Sequence, residues 1–289
     1  MALDERELVA NLAGLDALEA ALGGGTTRAQ RVWRVTWPKA SALLLALGIW
    51  QLVVWSGWKP EYILPGPNKV FPALWDLAGE GDFWKTVWIT MRRALFGYAI
   101  AVVIGSVVGL AVAQLWWVRS AVGSLITGLQ TMPSVVWLPA AVALFQLTEQ
   151  AIFFVVVLGA APSIASGLIY GVDHVPPLLL RAGRMVGARG PKLYRHVIIP
   201  AVLPAFVSGL KQGWSFAWRS LMAGELLVII ADKPSIGFRL TSAREFSDYP
   251  ALYAWMIVIL VIGIVVDAVF TRADAALRRR WGLIDQATR

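Results

Sequence analysis

The sequence contains no cysteine and only two histidines among its 289 residues. Without cysteine, a disulfide framework, a thiolate nucleophile and a thiolate metal ligand are all excluded. His174 and His196 form no cluster with metal-ligand spacing, so no metal site is predicted. The phosphate-binding pattern G-x-x-x-x-G-K-[ST] is also missing. We therefore expect no cofactor in this chain, and any ATP chemistry must come from another one.

Charged residues are scarce as well. They make up 15% of the chain, whereas soluble proteins carry roughly a quarter. Hydrophobic residues account for 58%, and the mean hydropathy is +0.65. The net charge of +8 does not indicate nucleic acid, because the basic residues lie at the ends of apolar runs, where they orient membrane helices. The composition predicts an all-α, polytopic membrane protein that binds no nucleic acid.

The chain divides by composition into three parts. Residues 1–35 form a polar extension with an amphipathic helix, in which leucines 8, 12, 15 and 22 share one face. Residues 36–283 form the transmembrane domain, and residues 284–289 form a C-terminal tail. As a hypothesis, the amphipathic helix packs on a partner subunit or regulates it.

Predominantly apolar runs predict six membrane spans, at about residues 39–59, 90–117, 120–148, 150–172, 201–230 and 253–270. Pro133 and Pro139 should kink or break the third span. Gly97, Gly105 and Gly109 in the second span should let a neighbouring helix approach closely. With both termini cytoplasmic, the inner segments carry about twice as many Lys and Arg residues as the outer ones, which places residues 173–200 in the cytoplasm.

The segment RAGRMVGARGPKLYRHVIIP, residues 181–200, carries a recognisable pattern. It resembles the cytoplasmic EAA loop of the membrane subunits of type I ABC importers. Gly187 and Pro200 fall on the hallmark glycine and proline positions of that loop, and Ala182 matches its second position. Arg181 replaces the usual acidic residue and Gly183 the second alanine.

The resemblance implies that this loop, 173–200, is a coupling segment that docks into a groove of a separate ATPase subunit. From the residues themselves, a short amphipathic helix interrupted at Gly187 and Gly190 should present apolar side chains with basic neighbours. Those apolar side chains are Met185, Val186, Leu193 and Tyr194. The alternative is an ordinary basic loop that only obeys the positive-inside bias.

Four further segments extend the resemblance: LPGPNKVF at 64–71, TMRRALFGYAIAVVIGSVVGL at 90–110, LQTMPSVVWLPAAVALF at 129–145 and GLKQGWSFAWRSLMAGELL at 209–227. They are similar to permeases for aliphatic sulfonates, taurine, nitrate and bicarbonate, with the sulfonate branch nearest. The implied fold is the MetI-like fold of type I ABC importers, with six spans.

The resemblance also implies a function and a set of partners. The chain would be a non-catalytic permease subunit in the bacterial inner membrane, paired with a second copy. Two ATPase subunits would bind ATP and Mg, and an extracytoplasmic solute-binding protein would deliver a small anion. The alternative function is a secondary transporter that runs on an ion gradient, which would need protonatable chains in its spans.

Ionisable residues inside the predicted spans are candidates for function, because charge is costly in a bilayer. Arg219 either helps an anion to cross a cavity or has a structural role, and Glu225 is expected to form an ion pair between helices. Thr131 and Met132, at the predicted kink, and Trp214 are further pathway candidates, although Trp214 could also face lipid. Arg92 and Arg93 are expected to anchor the outer end of the second span.

Overall fold

The computed structural model of the protein describes residues 28–230 and 233–280. The first helix, α1, is Arg28–Trp55. Its part from Thr36 to Trp55 is apolar and long enough to cross a bilayer. The chain divides into two units, Met1–Pro67 and Asn68–Arg289, and α1 belongs to the first. The predicted amphipathic helix in the extension and the tail at 284–289 lie outside the described residues.

The remaining helices follow one another with short connections. They are α2 Pro67–Gly79, α3 Gly81–Gln114, α4 Trp116–Thr131, a 3-10 turn Ser134–Trp137, α5 Leu138–Phe145, α6 Glu149–Asp173, α7 Pro177–Met185, α8 Pro191–Leu193, a π-helical turn Tyr194–Ile198, α9 Ile199–Leu227, α10 Ile236–Glu245 and α11 Tyr249–Arg280. The segment from Pro191 to Leu227 is continuous enough to count as one spanning helix.

The predicted number of six spans is confirmed. Five helices are long and apolar enough to cross a membrane, and α4 with the 3-10 turn and α5 forms a sixth, broken span bent by 105°. The bend lies at Pro133, where proline removes a backbone donor and disfavours a helical conformation at the preceding residue. The described part of the chain is therefore an all-helical, multi-pass membrane protein.

The predicted start of the second span was wrong. It was placed near residue 90, but α3 begins at Gly81 and contains Lys85, Arg92 and Arg93. The prediction treated these basic residues as the membrane boundary. A charge inside a helix is tolerated where another element neutralises it, and Arg93 is neutralised in this way, as described below.

Helix α6 is the centre of the bundle and packs between α3 and α9. Its side chains at Val155, Val156, Ala160 and Ile164 are fully buried. Small residues on the neighbours allow the approach: a Cβ at Gly105 of α3 would lie 2.6 Å from the carbonyl oxygen of Ala161. This is the close approach predicted from the glycines of α3, and it supplies the van der Waals contact that holds helices together in lipid.

The two ends of the bundle are closed by different ion pairs. At the end that carries α7, here called the α7 end, both Nη atoms of Arg119 bind the carboxylate of Asp173 and join α4 to α6. At the opposite end, here called the α10 end, Arg239 of α10 pairs with Asp82 at the start of α3. Each ion pair links two helices at one end of the bundle, where hydrophobic packing alone would leave their contact open to solvent.

Candidate functional site

The connection between α6 and α9 forms an apolar projection at the α7 end. Met185 is 82% exposed and Val186 is 89% exposed, directly where α7 ends. The chain then turns at Gly187, with φ +87°, and at Gly190, with φ +53°. These are left-handed conformations that glycine adopts without steric cost. Two large apolar side chains are thus held outward by a turn that other residues would strain.

Basic residues surround this projection. Five are exposed, and among the described residues none has a carboxylate within ion-pair distance: Arg181, Arg184, Arg189, Lys192 and Arg195. The only acidic side chain of the connection, Asp173, is already bound by Arg119. The surface therefore combines the exposed apolar projection of Met185 and Val186, here called the knob, with uncompensated positive charge. It is complementary to a partner surface that has an apolar groove with an acidic rim.

The structure corrects the expectation for Leu193. This side chain is only 8% exposed, so it is not presented to a partner as Met185, Val186 and the 48%-exposed Tyr194 are. A Cβ at Gly183 would lie 3.0 Å from the Cδ1 atom of Leu193 and 2.9 Å from Val197. The replacement of the usual alanine by Gly183 lets α7 settle onto Leu193, which fixes the direction of the knob.

A groove of about 580 Å³ lies beneath α7. Its walls are mainly apolar and include Leu179, Ala182, Val186, Val197 and Pro200. Ala182 and Pro200, two residues of the predicted coupling segment, therefore line the groove and are half-buried. The segment offers a cavity as well as a projection to a partner surface.

Helix α9 carries an exposed polar stripe at helical spacing. Its members are Ser208, Gln212, Ser215 and Arg219, which recur every three or four residues. Both serine hydroxyls donate to backbone carbonyls of their own helix, that of Pro204 at 3.1 Å and that of Lys211 at 3.3 Å. Gln212 and Arg219 are the members that lipid cannot accommodate cheaply.

The side chain of Arg219 runs back along the surface of α9, the helix that carries it. Its Nε atom donates to the carbonyl oxygen of Ser215 at 3.1 Å, and its guanidinium carbon is 4.6 Å from the ring centroid of Phe216. Within the described residues no carboxylate lies within ion-pair distance of it. The guanidinium is held in place but keeps its charge uncompensated, so it can bind an anion that approaches this face.

Of the other predicted pathway residues, Trp214 requires a correction. It is 4% exposed, its ring centroid lies 6.3 Å from that of Trp218, and Tyr98 meets it edge-on at 5.3 Å. Its helical phase turns it into the core, away from the polar stripe. It therefore faces neither an open cavity nor lipid in this structure.

Thr131 and Met132 lie at the break between α4 and α5, and both are exposed. The hydroxyl of Thr131 donates to the carbonyl oxygen of Gly128 at 2.8 Å, so the broken turn is partly satisfied by its own side chain. The 3-10 turn that follows contacts α9. In the described chain, no hydrogen bond or ion pair joins either residue to Arg219.

Glu225 is fully buried near the end of α9 and binds Arg93, which is 2% exposed, at 3.2 Å. The sequence predicts an ion pair for Glu225 without indicating its partner, and it predicts that Arg93 anchors the second span at the membrane surface. The burial of Arg93 corrects the second of these predictions. The signal was present, because a buried glutamate requires a compensating cation and few are available within the spans. Lys211, the second cation of α9 besides Arg219, is instead paired with Asp267 of α11 at 3.0 Å.

Residues 101–282 match the family described as the binding-protein-dependent transport system inner membrane component. A putative ABC transporter permease protein of Methanocaldococcus jannaschii is 30% identical, over 79% of this chain and 86% of the relative. The putative aliphatic sulfonates transport permease protein SsuC of Escherichia coli (strain K12) is 28% identical, over 81% and 87%. Permeases named for taurine, nitrate and bicarbonate match at 27%, 26% and 26%.

The fold agrees with this relationship. A chain of the MetNI methionine ABC transporter, in an inward-facing conformation, superimposes with a TM-score of 0.56 at 19% identity. The match covers 69% of this chain and 99% of the other. The likeness supports the MetI-like fold that the sequence predicted. This chain therefore belongs to the binding-protein-dependent transport system inner membrane component family, the permeases of type I ABC importers.

Proposed function

We propose that this protein is the permease subunit of an importer for a small oxyanion, most closely an aliphatic sulfonate or taurine. The observation that carries the proposal is the exposed polar stripe of α9, which ends at the uncompensated Arg219. The stripe runs over twelve residues, from Ser208 to Arg219, and its ends are about 16 Å apart along the helix axis. It therefore extends along about half of the hydrocarbon thickness of a bilayer.

A stripe of this kind is not expected to face lipid. An arginine and a glutamine in hydrocarbon cost several kcal/mol unless water or protein covers them. Water and a second copy of the chain are the coverings that an importer of this family provides. We place the stripe at the centre of a homodimer, along a water-filled route for the anion.

Arg219 then supports the charge of the substrate. A guanidinium presents several N–H donors in a plane and pairs well with sulfonate, carboxylate or nitrate oxygens. Nitrate and bicarbonate share this chemistry and remain the second choice of substrate. The specificity among anions would reside mainly in the solute-binding protein that delivers them.

The α7 end is the proposed docking surface for the ATPase subunits. The exposed pair Met185 and Val186 would enter a groove on each ATPase, and the surrounding basic residues would meet its rim. ATP and Mg would bind only to those partner subunits. The permease itself would lie in the bacterial inner membrane with the α7 end in the cytoplasm and would catalyse no reaction of its own.

Reconstitution of the full chain with its candidate ATPase and binding protein tests this proposal. ATPase activity would be measured with the binding protein loaded from a panel of taurine, an alkyl sulfonate, nitrate, bicarbonate and neutral methionine. We expect stimulation by the sulfonate class. Equal stimulation by methionine, or none by any anion, would overturn the oxyanion assignment.

Val186→Asp tests the docking surface. The added charge must be desolvated in an apolar groove, so we expect at least about a tenfold loss of ATPase copurification. Phe246→Asp is the matched control, because Phe246 is 82% exposed but lies at the α10 end. Equal copurification of both variants and the parent protein would show that the knob does not dock.

A further inference from the structure

The buried carboxylate of Glu225 joins three helices at the α10 end. It accepts the hydroxyl proton of Thr90 in α3 at 2.9 Å and the Nη1 proton of Arg93 at 3.2 Å. It also accepts the backbone N–H of Gly237, in the first turn of α10, at 3.3 Å. The hydroxyl of Thr90 in turn accepts the N–H of Ile236 at 3.0 Å. One carboxylate on α9 thus holds the beginning of α10 against α3.

The contact with α10 leaves no free space. A Cβ at Gly237 would lie 2.5 Å from the Cβ atom of Glu225 and 2.7 Å from its carbonyl carbon. The backbone N–H groups of Ile236 and Gly237, at the start of α10, donate to Thr90 and Glu225. An isolated helix would have to satisfy these two groups with water or a cap. The position of α10 therefore depends directly on where Glu225 lies.

Arg93 has two carboxylate partners. Its Nε atom binds Glu149 of α6 at 3.2 Å, the same distance that separates its Nη1 atom from Glu225. Glu149 is also 3.4 Å from Lys233 and 3.6 Å from Arg92. Arg93 can therefore give up Glu225 and keep a counter-charge, which lowers the cost of separating the buried pair.

The cluster also contains donors that the present arrangement leaves unused. The Nη2 atom of Arg93 and the hydroxyl of Thr86 are buried without a hydrogen-bond partner among the described residues. Native structures leave few such groups. A shift of α9 relative to α3 would offer Glu225 the hydroxyl of Thr86, which lies one turn from Thr90 on α3, in place of the groups it binds now.

Helix α9 connects this cluster to the opposite end of the bundle. The segment from Pro191 to Leu227 is 37 residues long, or about 55 Å of helix. It begins just after the knob of Met185 and Val186 and ends two residues beyond Glu225. A displacement applied at the α7 end reaches Glu225 through one continuous element.

From these contacts we infer that the Glu225–Arg93 pair is a latch that holds α10 over the outer end of the bundle, and that movement of α9 releases it. In the resting state Glu225 retains the start of α10. When α9 shifts, Glu225 leaves both Arg93 and the backbone N–H of Gly237, Arg93 stays with Glu149, and α10 is freed to move. The part of this inference that concerns ATP rests on the proposed function, because it requires an ATPase at the α7 end.

The absence of cysteine makes a direct test possible. Ala243 of α10 is 9% exposed, so Ala243→Cys places a single thiol under the closed helix in a chain with no other one. Its rate of reaction with a maleimide measures the opening of α10, and the exposed Phe246→Cys gives the rate of an open site. We expect Glu225→Gln or Arg93→Met to raise the Ala243→Cys rate at least about tenfold.

Two controls separate a latch from general destabilisation. Lys211→Met breaks an ion pair between α9 and α11 and should leave the rate unchanged. Thr90→Val removes the hydroxyl link to Ile236 without removing either charge, so it should give a smaller increase, and Thr90→Ser should restore the parent rate. If Glu225→Gln fails to fold, the comparison of Thr90→Val with Thr90→Ser still tests the latch. An unchanged labelling rate of Ala243→Cys in the Glu225→Gln background would overturn the latch. If that variant does not fold, an unchanged rate in the Thr90→Val background would do so.

A second measurement addresses the coupling. With the ATPase bound, a non-hydrolysable ATP analogue should raise the labelling of Ala243→Cys, and Glu225→Gln should remove this dependence on nucleotide. If the labelling rate of Ala243→Cys in the assembled complex is the same with and without the analogue, movement of α9 does not release the latch. If the ATPase does not bind at all, the proposed function fails, whereas the variants of the isolated permease still decide the latch.

Discussion

Replacing Gly167 by leucine is expected to abolish the folded state. A Cβ at this position of α6 would lie 2.6 Å from the Cα atom of Gly209 and 3.2 Å from the carbonyl oxygen of Ala205, both backbone atoms of α9. A side chain could give way, but the backbone of a helix cannot. The cost should therefore exceed the ~1–3 kcal/mol of ordinary overpacking, and α6 and α9 should separate. The measurement is the yield of monodisperse protein in detergent by size-exclusion chromatography.

Gly123→Leu is the matched control, because a Cβ at Gly123 in α4 meets nothing within 4 Å. It should leave the yield close to that of the parent protein. Gly167→Ala should give an intermediate yield, since its single methyl group already meets the backbone of Gly209. Equal yields for Gly167→Leu and Gly123→Leu would show that α6 and α9 do not pack as the structure has them.

Reversing the charge of Arg219 is expected to stop transport while the complex still assembles. Arg219 bonds only within its own helix among the described contacts, so Arg219→Glu should not change the fold. A hydrogen bond to a charged group contributes ~1.5–3 kcal/mol, equivalent to about a 10- to 150-fold change. Arg219→Met should lower the uptake of a sulfonate into proteoliposomes by that factor, and Arg219→Glu should lower it further by repulsion.

Lys211→Met controls for the loss of a positive charge from the same helix. The charge of Lys211 is already compensated by Asp267, so its removal should affect uptake much less. Arg219→Lys should retain part of the activity, because it keeps the charge but loses the planar donors. If Arg219→Glu takes up the anion at the parent rate, α9 does not line the anion pathway. The membership of the chain in its family would be unaffected by that result.

The spans and the broken helix could be predicted because their signals are local. A run of apolar residues must be buried in lipid whatever its neighbours are, and Pro133 interrupts a helix by its own geometry. The glycine spacing of α3 announced a close helix contact for the same reason. The polar stripe of α9 is also visible in the sequence, but only when the helical phase that joins Arg219 to the uncharged Gln212 is followed.

The choice of partners could not be predicted in this way. Arg93 and Glu225 are 132 positions apart, and only the packing of α3 against α9 shows that they meet. The same holds for Leu193, whose burial depends on the close seating of α7 at Gly183. Trp214 was misassigned because an aromatic residue in a span suits the core, a cavity or lipid equally well until its direction is known.

The sequence alone determined that this protein is an all-helical membrane protein with six spans, because hydropathy, length and proline position act along the chain. It also determined the family, through the motif around Gly187 and Pro200. The tertiary structure alone decided which charges neutralise each other and which remain free. Glu225 has its counter-charge within the bundle, whereas Arg219 has none among the residues that the structure describes, because charge compensation depends on distances between helices that the order of residues does not specify.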